Sequence, residues 1–266
     1  MGRRAGRRWR WWRCRLWRCW CCMGGRREGG KRLAEVHHEL RVAGQHGAVR
    51  LDVDLAFSAP WTVIFGPSGS GKSTLLRAMC GLLPGLEVRF RRRESGVWSD
   101  VAALPVHERG IAYAAQGAAV FPHLSVQENV GFALRSRGLR DAVAVDEAVE
   151  LFVLGGVLER RPRELSGGEQ QRVSLARAFA VPGAKLILLD EPFTGVDRRM
   201  RDGMLERMRE RSERLGVPVV SVTHDVEEAL RLEAEVVRLE AGRVMARGAA
   251  RNVLYEERER MREVIG

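Results

Sequence analysis

Residues 66–73 read GPSGSGKS, a glycine-rich string ending in a lysine and a hydroxyl residue that fits G-x-x-x-x-G-K-[ST]. The glycines let successive backbone N–H groups curl round a phosphate, and a helix starting near Lys72 would aim its positive end at it. Lys72 is placed to reach the β- and γ-phosphates of a nucleoside triphosphate, and the Ser73 hydroxyl to bind Mg2+. Such a string needs a strand before it and a helix after it; here TVIF (62–65) precedes and STLLRAMCGL follows. A second constellation, LILLDEP (186–192), would supply the metal half. Asp190 at a strand end would hold Mg2+, and Glu191 would accept a proton from an attacking water. Acidic pairs at strand ends are common, so this one draws its weight from the phosphate loop upstream.

The third constellation is ELSGGEQQRVSLARA (164–178). Ser166 and Glu169 make an S-x-x-E capping box on an ordinary helix. That accounts for the serine and the glutamate but not for Gly167 and Gly168, which weaken a first turn. Two glycines there suit a backbone that must come close to an anion.

The string LSGGEQ (165–170), with the phosphate loop upstream and LILLDEP downstream, resembles the ATP-binding subunit of ABC transporters over about residues 33–250. The resemblance implies ATP and Mg2+ as ligands. Gly66, Ser68, Gly69, Ser70, Gly71, Lys72, Ser73 and Thr74 would surround the phosphates, and Ser73, Gln116 and Asp190 the metal. Glu191, His224 and Gln116 would form the catalytic set, Gln116 matching the family's Q-loop glutamine and His224 in VTHD its switch histidine. His224 stands at a strand end 34 residues past Asp190, where the family places it. Asp197 in TGVD matches the D-loop aspartate, although Thr-Gly stands where Ser-Ala or Ser-Gly is usual. Ser166, Gly167 and Gly168 would meet a nucleotide held by the other subunit, so a head-to-tail homodimer would enclose two ATP molecules. The family usually stacks an aromatic ring on adenine some twenty residues before the phosphate loop. RVAGQHGAVRL has no Tyr, Phe or Trp there, and His46 is the flat ring on offer. His37, His38, His107 and His123 read as structural or solvated.

The stretch LPVHERGIAYAAQGAAVFPHLSVQENVGFAL (104–134), with VRFRRRESGVW before it, is similar to bacterial importers. It is most like the molybdate importers, with those for sulfate, iron(III) and polyamines close behind. That implies transmembrane permease subunits as partners and an extracytoplasmic solute-binding protein acting indirectly. It also implies a peripheral place at the cytoplasmic face of the inner membrane, with no residue of this chain touching the solute. Many such subunits carry a C-terminal regulatory domain. This chain ends soon after the catalytic fold, so that regulation is expected to be absent.

These motifs need elements to hold them. Four apolar runs, TVIF, IAYAA (111–115), LILL and VVSVT (219–223), each lead into a polar residue with phosphate or metal chemistry. In open α/β sheets ligands sit beyond the carboxyl ends of strands, so four reactive positions would converge on one site. The fold class expected is α/β. A P-loop ATPase sheet core is flanked by helices, with a helical subdomain over about 117–165 and a small antiparallel β portion. The domains expected are a tail, 1–32, and an ABC-type ATPase domain, 33–266.

The tail, which opens MGRRAGRRWRWWRCRLWRCWCCMGG, is unlike the rest. It holds twelve of the 45 basic residues and one of the 34 acids, a net +11 that leaves 33 basic against 33 acidic residues in the body. The basic pI therefore belongs to the tail, and no nucleic-acid partner is expected of the folded part. Arginines break up any signal-peptide core, and no later stretch approaches the ~18 apolar residues of a membrane span. Cys14, Cys19, Cys21 and Cys22 do not have a usual zinc spacing. Basic residues interleaved with tryptophan could touch nucleic acid or anionic lipid, but a disordered extension, or a mis-assigned start with the true one at Met23 or later, is the expectation. Cys80 alone in the body allows no internal disulfide, which fits a reducing cytosol. The rival class, a soluble ABC ATPase of DNA repair or translation, would need a long coiled coil or a second ATPase unit.

Overall fold

The four apolar runs form strands β3 (Trp61–Phe65), β6 (Ile111–Ala114), β7 (Leu186–Asp190) and β8 (Val219–Thr223) of one sheet. The computed structural model describes residues 37–58, 60–139 and 142–255, together with 257 and 259. The tail of residues 1–32 lies outside the described residues. Ten described strands pair in the order β5-β4-β1-β2-β10-β9-β3-β8-β7-β6. The others are β1 (His37–His46), β2 (Val49–Phe57), β4 (Glu87–Glu94), β5 (Val97–Asp100), β9 (Glu235–Glu240) and β10 (Arg243–Ala249).

From β9 to β6 the pairs are parallel, and β3, β7 and β8 are buried at every position. That is why they read as unbroken apolar runs: both faces of a parallel sheet are covered. Alternation then assigns each side chain to a layer. Val63, Ile187, Leu189 and Val219 join the core under α5 (Gly167–Phe179) and α6 (Arg198–Leu215). Ile64, Leu186, Leu188 and Val222 face α1 (Lys72–Cys80) and the β1–β2–β4 ribbon. In that ribbon one face is solvated, and β2 alternates strictly over Leu51, Val53 and Leu55.

The stretch after β6 is helical in short pieces: α2 (Val126–Val130), α3 (Phe132–Ser136) and α4 (Ala142–Leu151). Ser125 and Glu128 close a capping box on α2, a device worth about 1 kcal/mol. Buried Asn129 fastens the preceding loop by accepting from Phe121 N–H (2.8 Å) and donating to the carbonyls of Phe121, Leu124 and Ser125. Helices α7 (Val226–Arg231) and α8 (Ala250–Val253) complete the described chain. No helix among the described residues is long and apolar enough to cross a membrane.

Of the histidines read as bland, His38 has a definite role. It is 1% exposed, stacked on Phe57 at 4.8 Å and tilted against Phe90 at 5.6 Å. Neither ring nitrogen has a hydrogen-bond partner. Burial, aided by Arg92 and His37, pushes its pKa down to about 3 from 6.5. The unfolded chain therefore takes up a proton that the native ring refuses as pH falls below 6.5. Stability present above that pH is lost on the way to about 3, by about 3 kcal/mol at pH 4. His38→Leu should move the acid-unfolding midpoint, followed by circular dichroism, to lower pH; an unchanged midpoint would contradict this account.

Candidate functional site

Strands β3, β8, β7 and β6 lie side by side and run the same way, so their carboxyl ends share one edge. From β3 the chain enters the loop Gly66–Gly71 and then α1. Gly71 caps that helix at φ +99°, where a Cβ would also meet the Leu51 side chain at 2.8 Å, so only glycine fits. Lys72 donates to the carbonyls of Gly66 (2.8 Å) and Pro67 (2.9 Å), folding its ammonium over the loop. Burial lowers its pKa, against the pull of Glu191 and Asp190. The Ser70 hydroxyl is buried without a partner, a polar atom left over inside the loop. Ser68 and Gly69 are exposed at the loop tip, and Thr74 sits half-buried in the first turn of α1.

Ser73 Oγ donates to Asp190 Oδ1 at 2.8 Å, and Tyr113 Oη donates to Oδ2 at 3.2 Å. Asp190 is wholly buried at the end of β7. Burial and the Asp190 charge push the Tyr113 hydroxyl up to about 12, keeping it a donor. A carboxylate beside a hydroxyl is a hard oxygen pair of the kind Mg2+ takes, and a phosphate would complete the set. No denser cage of three or more His, Cys, Asp or Glu exists among the described residues.

Glu191 turns the chain at φ +49°, its N–H donating to Val222 O at 3.0 Å. Both carboxylate oxygens lie 3.0 Å from His224 Nδ1, at the end of β8. The His224 ring is 72% exposed, while Glu191 is 14% exposed. The carboxylate expected as general base and the histidine matched to the switch position thus touch.

Gln116 is exposed in the turn after β6, and no hydrogen bond joins it to Asp190 among the described residues. Tyr113, three residues earlier on β6, donates to Asp190. His46 is exposed at the end of β1. Ser166 caps α5 in the expected box with Glu169, and none of its hydrogen bonds reaches Gly66–Ser73. Gly168 cannot be replaced cheaply, because a Cβ would lie 2.7 Å from Gly195 O. Asp197 caps α6 through Arg199 N–H (2.9 Å) and Met200 N–H (3.3 Å). Gln171 on α5 donates to the carbonyls of Pro192 (3.1 Å) and Glu191 (3.4 Å), fixing α5 to the carboxylate loop.

The family profile described as ABC transporter matches residues 52–194, from β2 through the phosphate loop to the turn after Glu191. The chain belongs to the ABC transporter family. It is 42% identical over 224 residues to the molybdenum import ATP-binding protein ModC of Rhodopseudomonas palustris (strain BisB18), covering 81% of this chain and 58% of that protein. The Fe(3+) ions import ATP-binding protein FbpC of Mesorhizobium japonicum is 40% identical, over 79% of this chain and 58% of its own length. The chain thus spans under three fifths of these curated relatives. Among solved structures, the ATP-binding cassette MJ0796, a dimer in a post-hydrolysis state with ADP and Pi, superposes with a TM-score of 0.68. It is 27% identical and covers 80% of this chain and 99% of its own. The expected α/β ATPase fold is therefore the fold of this chain.

Sequence reasoning missed Tyr113, Gln171 and a buried carboxyl on α7, Glu228. Burial pushes Glu228 up to about 7, with Asp225 adding to the shift and the Thr223 hydroxyl and Arg201 opposing it. Its folded pKa lies above the unfolded 4.5, so stability is complete below 4.5 and is lost as pH rises to about 7, by about 3 kcal/mol. Glu228→Gln, which cannot ionise, should gain thermal stability over the wild type between pH 5 and pH 8. Parallel Tm-against-pH curves for the two proteins would rule this out.

Proposed function

We propose that the chain is the ATP-hydrolysing subunit of a membrane ABC importer. The observation carrying this reading is the convergence, on adjacent strand ends, of Lys72, the Ser73–Asp190 pair and the Glu191–His224 pair. Gly66, Ser68, Gly69, Ser70, Gly71, Lys72, Ser73 and Thr74 hold the phosphates of ATP. Lys72 exchanges its two loop carbonyls for β- and γ-phosphate oxygens. Ser73, Asp190 and Gln116 hold Mg2+, which when bound neutralises phosphate charge. Tyr113 keeps the second Asp190 oxygen occupied and the carboxylate oriented. Water attacks the γ-phosphorus, its proton passes to Glu191, and the bond to the β-phosphate oxygen breaks. His224, already bonded to Glu191, is exposed enough to reach the γ-phosphate.

Ser166, Gly167, Gly168 and Asp197 serve the second subunit. Their hydrogen bonds are local, which suits groups facing a nucleotide on Lys72 of the partner subunit in a head-to-tail homodimer. Each ATP is then held by both subunits; hydrolysis removes those bonds and the dimer reopens. Residues 33–266 form the ATPase domain, and the helical segment 117–165 passes the movement to transmembrane permease subunits. An extracytoplasmic solute-binding protein acts upstream of them. The subunit sits at the cytoplasmic face of the inner membrane.

For the solute, the relatives named for molybdenum import favour an oxyanion such as molybdate, and the Fe(3+) relative supports iron(III) as the second reading. Reconstitution with the cognate permease would separate them: molybdate-loaded binding protein should stimulate ATP hydrolysis, whereas stimulation by iron(III) alone would transfer the assignment. Failure to associate with any permease would return the chain to the soluble, non-transport ATPases.

The chemistry has its own test. Glu191→Gln should bind ATP with Kd near that of the wild type and lose turnover by about 10²-fold or more. Lys72→Ala should lose measurable ATP binding. Wild-type turnover in purified Glu191→Gln would overturn the assignment.

A further inference from the structure

The His224 ring is largely exposed, and its hydrogen bonds among the described residues are to Glu191 alone. Its placement therefore depends on the backbone that carries it. That backbone is held on one side by Thr223 Oγ1, which accepts from Asp225 N–H at 3.0 Å. On the other side Asp225 Oδ1 caps α7, accepting from Glu227 N–H (2.8 Å) and Glu228 N–H (3.4 Å). What holds Asp225 itself is one guanidinium. Arg201 Nη1 lies 2.5 Å from Asp225 Oδ2.

Arg201 gathers four carboxylates in all: Asp225, Glu227 (3.3 Å), Asp202 (3.3 Å) and Glu228 (3.8 Å). Its side chain is 10% exposed, so water screens these pairs weakly. Arg198 also bonds Glu227, and Arg231 also bonds Asp202. Three guanidinium groups thus face four carboxylates, and buried Glu228, with the longest contact, is the acid left most weakly balanced. Arg201 alone among the three touches all four. It lies one turn into α6, its N–H donating to the Asp197 carbonyl at 2.8 Å. Arg201 therefore stands in the first turn of the helix that Asp197 caps, while its side chain holds the segment bearing His224.

We propose that Arg201 is a positioning residue for the reaction: it locks the segment 224–228 to the first turn of α6, so that His224 and Asp197 keep a fixed relation to one another. This rests on the ATPase reading above. Both residues are assigned there to groups that act once nucleotide is bound, so Arg201 bears on turnover and leaves the Lys72 pocket alone. Lysine at this position would keep the charge but lose the planar fork that meets several carboxylates at once.

The test compares kcat and KM for ATP in the full chain and in Arg201→Lys, Arg201→Gln, His224→Ala and the Arg201→Lys/His224→Ala double variant. Arg201→Gln should lose about tenfold or more in kcat, since small misplacements of reacting groups cost up to about 10²-fold. KM should stay within about twofold, and Arg201→Lys should recover part of the loss. In the His224→Ala background Arg201→Lys should cost nothing further, because Arg201 acts through that histidine. If Arg201→Gln does not fold, the lysine variant carries the same comparison. A loss confined to KM, or kcat losses that multiply in the double variant, would overturn the proposal while leaving the ATPase standing. Absence of turnover in the wild type would remove the ATPase reading, and this inference with it.

Discussion

A carboxylate with no exposure to water, Asp190, is the constraint on which the site is built. An ion in such a place is costly unless its oxygens are satisfied. Here one oxygen takes Ser73 from α1 and the other takes Tyr113 from β6. These two bonds join three elements that are far apart in sequence: the helix after β3, the strand β6 and the end of β7. The carboxylate can be buried only if β3, β8, β7 and β6 run parallel with their ends aligned. The same alignment brings Glu191 and His224 within 3.0 Å. Sheet topology and site chemistry are thus one arrangement.

Around that fixed centre the neighbouring segments are fastened to each other through backbone atoms. Gly168 sits so close to Gly195 O that no side chain is tolerated, and Gln171 donates to the successive carbonyls of Glu191 and Pro192. The helix begun by Ser166 and the carboxylate loop therefore shift together. Buried Arg172 extends this body by donating to the carbonyls of Phe152 and Val153, at the end of α4. Hydrogen bonds thus run from the Glu191 loop through α5 to the end of α4 without a break.

What was legible in the sequence was whatever depends on neighbours along the chain. Both-sided burial turned β3, β7 and β8 into apolar runs, and local hydrogen bonding wrote the Ser166 cap as a short motif, whereas the cap that Asp197 makes on α6 emerged only in the structure. The α/β fold and the grouping of Lys72, Ser73, Asp190, Glu191 and His224 followed from those runs and from a family resemblance. Less visible was β4, whose VRFRRRE carries one fully buried side chain, Phe90, among arginines that lie on the sheet faces. Tyr113 was invisible because its partner Asp190 lies on another strand, and Glu228 because its burial is set by packing and not by the local sequence. Gln116 stands in the exposed turn after β6, while Tyr113, on the strand itself, donates to Asp190.

The body's charges balance in number, and the structure shows what several of its arginines do. Arg109, nearly buried, donates to the carbonyls of Met79, Ala102 and Leu104, closing the end of α1 where unpaired carbonyls collect. Arg172 does the same for α4, and Arg201 does it with carboxylates for α6 and α7. A rigid fork of five donors on a long stem can join several acceptors from different elements, which no aliphatic side chain can do. Balance of charge in this chain thus reflects pairing across elements rather than an inert surface. Arginines of this kind decide which segments move as one body, and in a protein whose site is made of loops at four strand ends that division decides what the site can do.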